Sequence, residues 1–193
     1  CTEDINLSVI GGEEKIVIEG TIENGQPAKV IVTRSSPITQ TIDANSILVT
    51  DAQVYVSDGV FTDTLTFGID SFASLPLLYK GATVIGNVNQ TYYLTVIADG
   101  KTFTATTTIP QPIALDSVWW KAQPPSDTLG FAWAHLTEPP GYGNAYKWLA
   151  KRPTKDRRYI APFGSTFDDK FIDGKSFDFA YNRGSDPNDP TAN

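Results

Sequence analysis

The chain has one cysteine, one histidine and no methionine in 193 residues. A single cysteine excludes an internal disulfide and any cysteine-rich zinc site. A single histidine excludes a multi-histidine metal centre. No run of about 18 apolar residues occurs, so no segment is long and apolar enough to cross a bilayer as a helix. Positive charge is also scarce: 15 Lys and Arg stand against 22 Asp and Glu, a net charge of -7. An acidic chain does not hold a polyanion by bulk charge, so nucleic acid is a poor first choice of partner. No long stretch carries a helical period, and no G-x-S-x-G nucleophile motif is present.

What is present is a strand pattern. Apolar residues make up 40% and charged residues 19% of the chain, a foldable composition. Residues 14–22 (EKIVIEGTI) alternate, with Ile16, Ile18, Gly20 and Ile22 on one side, as a half-buried strand does. The turn signal Asn24-Gly25 leads to a second strand over 28–35. Further strands are expected over 52–57, 60–67, 91–98 and 101–109, with Asp58-Gly59 and Asp99-Gly100 as turns. Leu77-Leu78-Tyr79 reads as a short edge segment. The expected fold is all-β, with an N-terminal immunoglobulin-like β-sandwich.

Pro110-Gln111-Pro112 interrupts this pattern and reads as a domain joint. Residues 1–112 hold 5 basic and 12 acidic residues, and residues 113–193 hold 10 of each, so the net charge lies in the first part. All four tryptophans (Trp119, Trp120, Trp133, Trp148) lie in the second. Its strand-like stretches are SVWWKA, LGFAWAHL and NAYKWLAK. The division is therefore a tether over 1–13, a sandwich over 14–112, and a second β domain over 113–193. That second domain is expected to be incomplete as given, because half a sandwich needs a partner sheet. Its end, 185–193, reads as a polar tail.

Cys1, in a chain without methionine, is the pattern expected of a processed bacterial lipoprotein, with the cysteine as acylation site. Thr2, Glu3 and Asp4 follow it and look like the acidic surface-export signal of Bacteroidota lipoproteins. Several stretches in order strengthen this: KIVIEGTI at 15–22, AQVYVSDG at 52–59, TYYLTVIADGKTFTATTTIP at 91–110 and IALDSVWW at 113–120. EPPGYGNAYKW at 138–148 and FDDKFIDGKSFDF at 167–179 complete the set. Together they resemble a Bacteroidota outer-membrane lipoprotein family of unknown function, often encoded beside TonB-dependent receptors. The resemblance implies a lipid-anchored, surface-facing protein that works with such a β-barrel. It carries no catalytic residues to transfer.

The candidate sites follow from residue types. His135 is the only histidine available to a Ser-His-Asp triad. In FAWAHL it shares a face with Phe131 and Trp133, so a packing role is expected. Asp168, Asp169, Asp173 and Asp178 are the candidates for carboxylate-pair hydrolysis, although Asp173-Gly174 between Phe171 and Phe177 reads as a hairpin turn. No cofactor is expected. Calcium is the one metal the composition suits, at Asp168, Asp169 and Asp173 or at Asp186, Asn188 and Asp189, both without EF-hand spacing. Trp119 and Trp120 are adjacent, so on a strand they face opposite sides and only one fits a one-sided core. With Tyr142, Tyr146 and Trp148 they form the candidate contact surface, for a protein partner or for a glycan or peptide. Lys147, Lys151, Arg152, Lys155, Arg157 and Arg158 form a basic run suited to lipid headgroups or an acidic partner. The triplets at Asp63, Asp116 and Asp127 resemble an O-glycosylation pattern, with Thr64, Ser117 and Thr128 as the hydroxyls. The functional expectation is binding, with no catalysis.

Overall fold

The computed structural model describes residues 13–37, 44–70, 77–156 and 159–181. Strands supply nearly all the regular structure of the described residues, and helix is confined to two short turns. The chain divides into two compact units, Cys1–Gln111 and Pro112–Asn193, and the division falls in the Pro110-Gln111-Pro112 stretch.

The first unit contains β1 (Ile16–Thr21), β2 (Pro27–Arg34), β3 (Gln53–Ser57), β4 (Thr62–Ile69), β5 (Leu77–Ile85), β6 (Thr91–Ala98) and β7 (Lys101–Thr108), with one helical turn, α1 (Ala44–Ile47). They form a single antiparallel sheet in the order β1-β2-β5-β4-β3-β6-β7. The sheet curls so that its halves share one core, in which Val30 and Val32 of β2 cluster with Val54 and Val56 of β3 and Val96 of β6. The alternation of these strands explains the choice: every second residue points inward on the pleat, and valines hold most of those positions. The Asp99-Gly100 turn closes a two-residue hairpin between Ala98 and Lys101, and both turn residues have positive φ (50° and 70°), as a type I′ turn requires.

The single sheet is possible because β4 serves both halves. Its first part, Thr62–Leu65, pairs with β3, and its second, Thr66–Ile69, pairs with β5. Beyond Lys80, β5 leaves the ladder in a bulge. Asp63 replaces the missing partner: its Oδ2 accepts the N–H groups of Ala82 (2.7 Å), Thr83 (2.7 Å) and Val84 (3.2 Å). A Cβ on Gly81 would stand 2.9 Å from that oxygen, so glycine fits there and larger residues crowd it. Burial of Asp63 opposes its charge, but the three amides together outweigh this and hold its carboxyl below the usual range.

The 77–79 segment differs from its expected role. It opens a nine-residue strand between β2 and β4, not a short edge. Leu78 and Tyr79 are both buried, so alternation is lost where the strand begins. The Tyr79 hydroxyl donates to the Val49 carbonyl (2.8 Å) and accepts the Ala52 N–H (2.9 Å), fastening the segment after α1 to the core.

The second unit contains β8 (Ser117–Ala122), β9 (Gly130–Thr137), β10 (Ala145–Lys147), β11 (Thr166–Asp168), a 3-10 turn at Asp169–Phe171 and β12 (Ser176–Tyr181). It holds a three-stranded sheet, β12-β9-β8, and a two-stranded one, β10-β11. The inner face of the larger sheet carries Ala134 and Leu136, both buried, with Phe177, Phe179 and Tyr181. Phe167 of the smaller sheet and Trp148, just after β10, pack on these rings at centroid distances of 5.4–6.5 Å, and Tyr146 stacks on Phe167 at 5.1 Å. The segment through Asp173-Gly174 is not a tight hairpin between paired strands. The 3-10 turn precedes it, begun by Asp168, whose Oδ1 accepts the Lys170 N–H at 3.3 Å.

Candidate functional site

The register of β8, β9 and β12 arranges the outer face of the larger sheet in rows. Ser117, His135 and Asp178 form one row, and Trp119, Trp133 and Ala180 the next. Lys121 and Phe131 follow on β8 and β9. Asp178 Oδ1 is an acceptor only, so His135 Nδ1 donates to it, at 2.6 Å. His135 was expected to pack among aromatics. It is instead half-buried and paired with a carboxylate, because its neighbour on β12 is Asp178, which the spacing within β9 could not show. Among the described residues the Ser117 hydroxyl makes no hydrogen bond to His135, so the row lacks the nucleophile–base link of a triad. The Trp119 and Trp133 rings lie 6.3 Å apart at 23°, with Lys121 Nζ 5.0 Å from the Trp133 centroid.

Strand β8 is a sheet edge, and all six of its residues are exposed. Trp119 is 36% exposed on the outer face. Trp120 (58%) and Val118 (61%) are exposed on the opposite one. The other three candidate contact residues lie elsewhere. Tyr142 is 76% exposed on the loop after Pro140. Tyr146 and Trp148 both pack against Phe167 within the aromatic cluster, and Trp148 Nε1 is buried with no hydrogen-bond partner among the described residues. The structure thus pairs Tyr146 with Trp148 and leaves Tyr142 apart from them. Cys1, Thr2, Glu3 and Asp4 lie outside the described residues, as do Arg157 and Arg158 of the basic run and Asp186, Asn188 and Asp189.

The two stretches 138–148 and 167–179 meet through carboxylates. Glu138 accepts from the Asn144 side chain (2.8 Å) and the Tyr146 hydroxyl (3.1 Å) through Oε1, and from the Gly174 N–H (2.8 Å) through Oε2. Asp169 Oδ2 accepts the Gly143 and Asn144 N–H groups at 2.7 and 2.9 Å, and Asp173 accepts the Gly141 N–H at 2.6 Å. Gly141, Gly143 and Gly174 all have positive φ, which turns their amides toward these acceptors. Burial, then the Glu138 carboxylate, pushes the Tyr146 phenol up to about 12. Glu138 was not anticipated as part of this knot. Its signal, a carboxylate closing a strand before Pro139-Pro140, is weak in sequence.

These acceptors serve backbone amides and, at Glu138, the Asn144 and Tyr146 side chains, and no group of three or more metal-ligating side chains occurs among the described residues. In the basic run, the Arg152 guanidinium pairs with buried Asp156 (Nη2 to Oδ1, 2.9 Å). Thr64, Ser117 and Thr128 are all exposed. In the first unit an apolar cleft of about 330 Å³ opens between the halves of the sheet, lined by Ile18, Ile22, Val30, Leu94, Val96 and Phe103. It lies beside the two edge strands β1 and β7.

Fold and site together define a two-unit all-β protein whose polar clusters are built on backbone hydrogen bonding. A family described as a domain of unknown function, DUF4249, matches residues 2–189, and the chain belongs to that family. No curated protein and no solved structure matches it.

Proposed function

We propose that this protein is a lipid-anchored, surface-exposed binding subunit that assembles with an outer-membrane β-barrel of the TonB-dependent receptor type. The observation that carries the reading is β8: an edge strand, exposed along its whole length, that presents Trp119 on one face and Val118 and Trp120 on the other. Exposed tryptophans beside a strand edge that is unpaired among the described residues suit the centre of a protein interface. Cys1 serves as the acylated anchor, and Thr2, Glu3 and Asp4 as the export signal. The mechanism is positional: an anchor that confines the chain to the membrane plane raises its effective concentration at the partner. A binding role with no catalysis is supported by Asp63, Glu138, Asp169 and Asp173, each engaged with backbone N–H groups.

The test is purification from native outer membrane in mild detergent through a C-terminal tag, with mass spectrometry of what accompanies it. A stoichiometric β-barrel supports assembly, and its loss with the V118S/W120S pair assigns the contact to β8. Recovery of the protein alone argues against assembly. The near-parallel Trp119 and Trp133 rings beside the His135–Asp178 pair favour a second reading, capture of a glycan or peptide by the isolated protein. Tight binding on a glycan or peptide array, abolished by Trp133→Ala, is the result that establishes it.

A further inference from the structure

The arm that carries β10 has two distinct faces. From 146 to 151, Tyr146, Trp148 and Ala150 are covered while Lys147, Leu149 and Lys151 are exposed. The returning chain repeats this: Ile160 and Pro162 are buried, and Tyr159, Ala161 and Phe163 are exposed. Ala150 and Ile160 form an antiparallel bridge with hydrogen bonds in both directions, 3.0 and 2.9 Å. The exposed side chains of both arms therefore share one side, and Lys151 Nζ stands 5.9 Å from the Tyr159 ring centroid. Residues 147–158 contain six basic residues and one acidic one. That one, Asp156, is buried and held by Arg152. Among the described residues Lys147, Lys151 and Lys155 make no ion pair.

We infer that this hairpin face is a lipid-contact surface that docks on an anionic bilayer. Lys147 and Lys151 on this face, with Lys155 exposed in the turn that joins the arms, meet headgroup phosphates, and Leu149, Tyr159 and Phe163 enter the interfacial layer. The mixture selects this occupant. A purely polyanionic partner uses the lysines but offers nothing to a leucine, a tyrosine and a fully exposed phenylalanine on the same face. A bilayer interface takes both, with aromatic rings at headgroup depth and basic side chains beside phosphate. The net charge of -7 does not oppose this, since the whole excess of acid lies in residues 1–112, while residues 113–193 hold ten basic and ten acidic residues. The inference does not depend on β8 or on acylation at Cys1.

The experiment is cosedimentation of the full 193-residue chain, without acyl groups, with phosphatidylcholine vesicles lacking or containing about 30% phosphatidylglycerol at about 0.1 M salt. Binding to the anionic vesicles at least about tenfold above the neutral ones is expected, with release of the wild-type chain at about 0.5 M salt. K147Q/K151Q/K155Q should remove most of it. L149S/Y159S/F163S, at unchanged charge, should weaken it several-fold. Circular dichroism checks that both variants fold. Equal partition to both vesicles, or no binding to either, overturns the inference. So does full competition by soluble inositol hexaphosphate combined with an inert L149S/Y159S/F163S, which would mark a phosphate site. A failed vesicle experiment leaves the receptor reading standing, because that reading is tested by its own copurification.

Discussion

In the first unit the buried side chains are mostly aliphatic, with Val30, Val32, Val54 and Val96 at its centre and Tyr79, Tyr92, Asp63 and Asp70 as the exceptions. In the second, the covered aliphatics are few, chiefly Leu136 and Ile160, and buried acids stand among them: Glu138, Asp156 and Asp169. The rest of its interior is a stack of six rings. Topology accounts for the contrast. Seven paired strands satisfy most of their own amides, so the first unit can devote its interior to apolar burial. Short β10 and β11 and the long connections around them leave amides without ladder partners, and carboxylates are recruited to accept them. Where the first unit has the same problem, at the β5 bulge, it uses the same remedy, Asp63. Carboxylate capping of backbone thus follows broken ladders in either unit.

The largest expected effect is at Glu138, which is 1% exposed. Glu138→Ala strands the Gly174 N–H, the Asn144 amide and the Tyr146 hydroxyl, at about 1–3 kcal/mol for each unsatisfied group. A loss of about 4 kcal/mol is expected, within the range for buried polar networks. Because all four tryptophans lie in residues 113–193, their fluorescence in urea reports the second unit alone, while calorimetry sees both. The fluorescence midpoint should fall while a separate transition of the first unit stays in place. A concerted fall of both would show that the two units unfold together.

Asp63→Ala should produce the mirror image, about 3 kcal/mol taken from the first unit with the tryptophan signal unmoved. Its pH dependence follows from linkage. The folded-state carboxyl lies below its unfolded value of about 3.9, so its contribution is present above that value and is lost as pH falls through the lower, folded one. The difference between wild type and Asp63→Ala should therefore shrink only in that acidic window. A difference that persists unchanged below it would mean that the carboxylate charge contributes nothing.

Tyr146 tests the second unit from the alkaline side. Its phenol is raised in the folded state, so its contribution is complete below about 10, the unfolded value, and is lost as pH rises toward about 12. Tyr146→Phe should be less stable than wild type near neutrality, by about 1 kcal/mol for the lost hydrogen bond to Glu138. It should also show a shallower decline between those two values. Parallel declines would remove Tyr146 from the Glu138 knot.

The regular parts of this architecture were legible and the polar ones were not. Strand 91–98, the Asp99-Gly100 turn and β8 follow directly from alternation and turn chemistry. Residues 77–85 did not, since Leu78 and Tyr79 are buried together and Gly81 breaks the pattern at the bulge. Asp63 sits at an inward position where alternation expects an apolar residue, and only the bulge across from it explains a carboxylate there. Glu138 meets Gly174 across 36 residues and Asp169 meets Gly143 across 26. Contacts of that span leave no periodic trace. The exposed tryptophans of β8 were legible as adjacent residues on opposite faces, whereas the covering of Tyr146 and Trp148 depended on β11 and β12, whose partners the pattern did not show.

The smallest expected effect separates folding from binding within one unit. Trp120 is exposed on β8 and Trp148 is packed against Phe167 and Phe179. Trp120→Ser should change stability by no more than about 0.5 kcal/mol, as surface substitutions do, while Trp148→Ala should cost about 3 kcal/mol by opening the ring stack. The informative quantity is the ratio. If β8 is a contact surface, Trp120→Ser spares the urea midpoint yet loses the copurifying partner, whereas Trp148→Ala damages the fold first. A Trp120→Ser variant that unfolds as readily as Trp148→Ala would make this tryptophan part of the interior that holds the unit together, and β8 would then lose its standing as an interface.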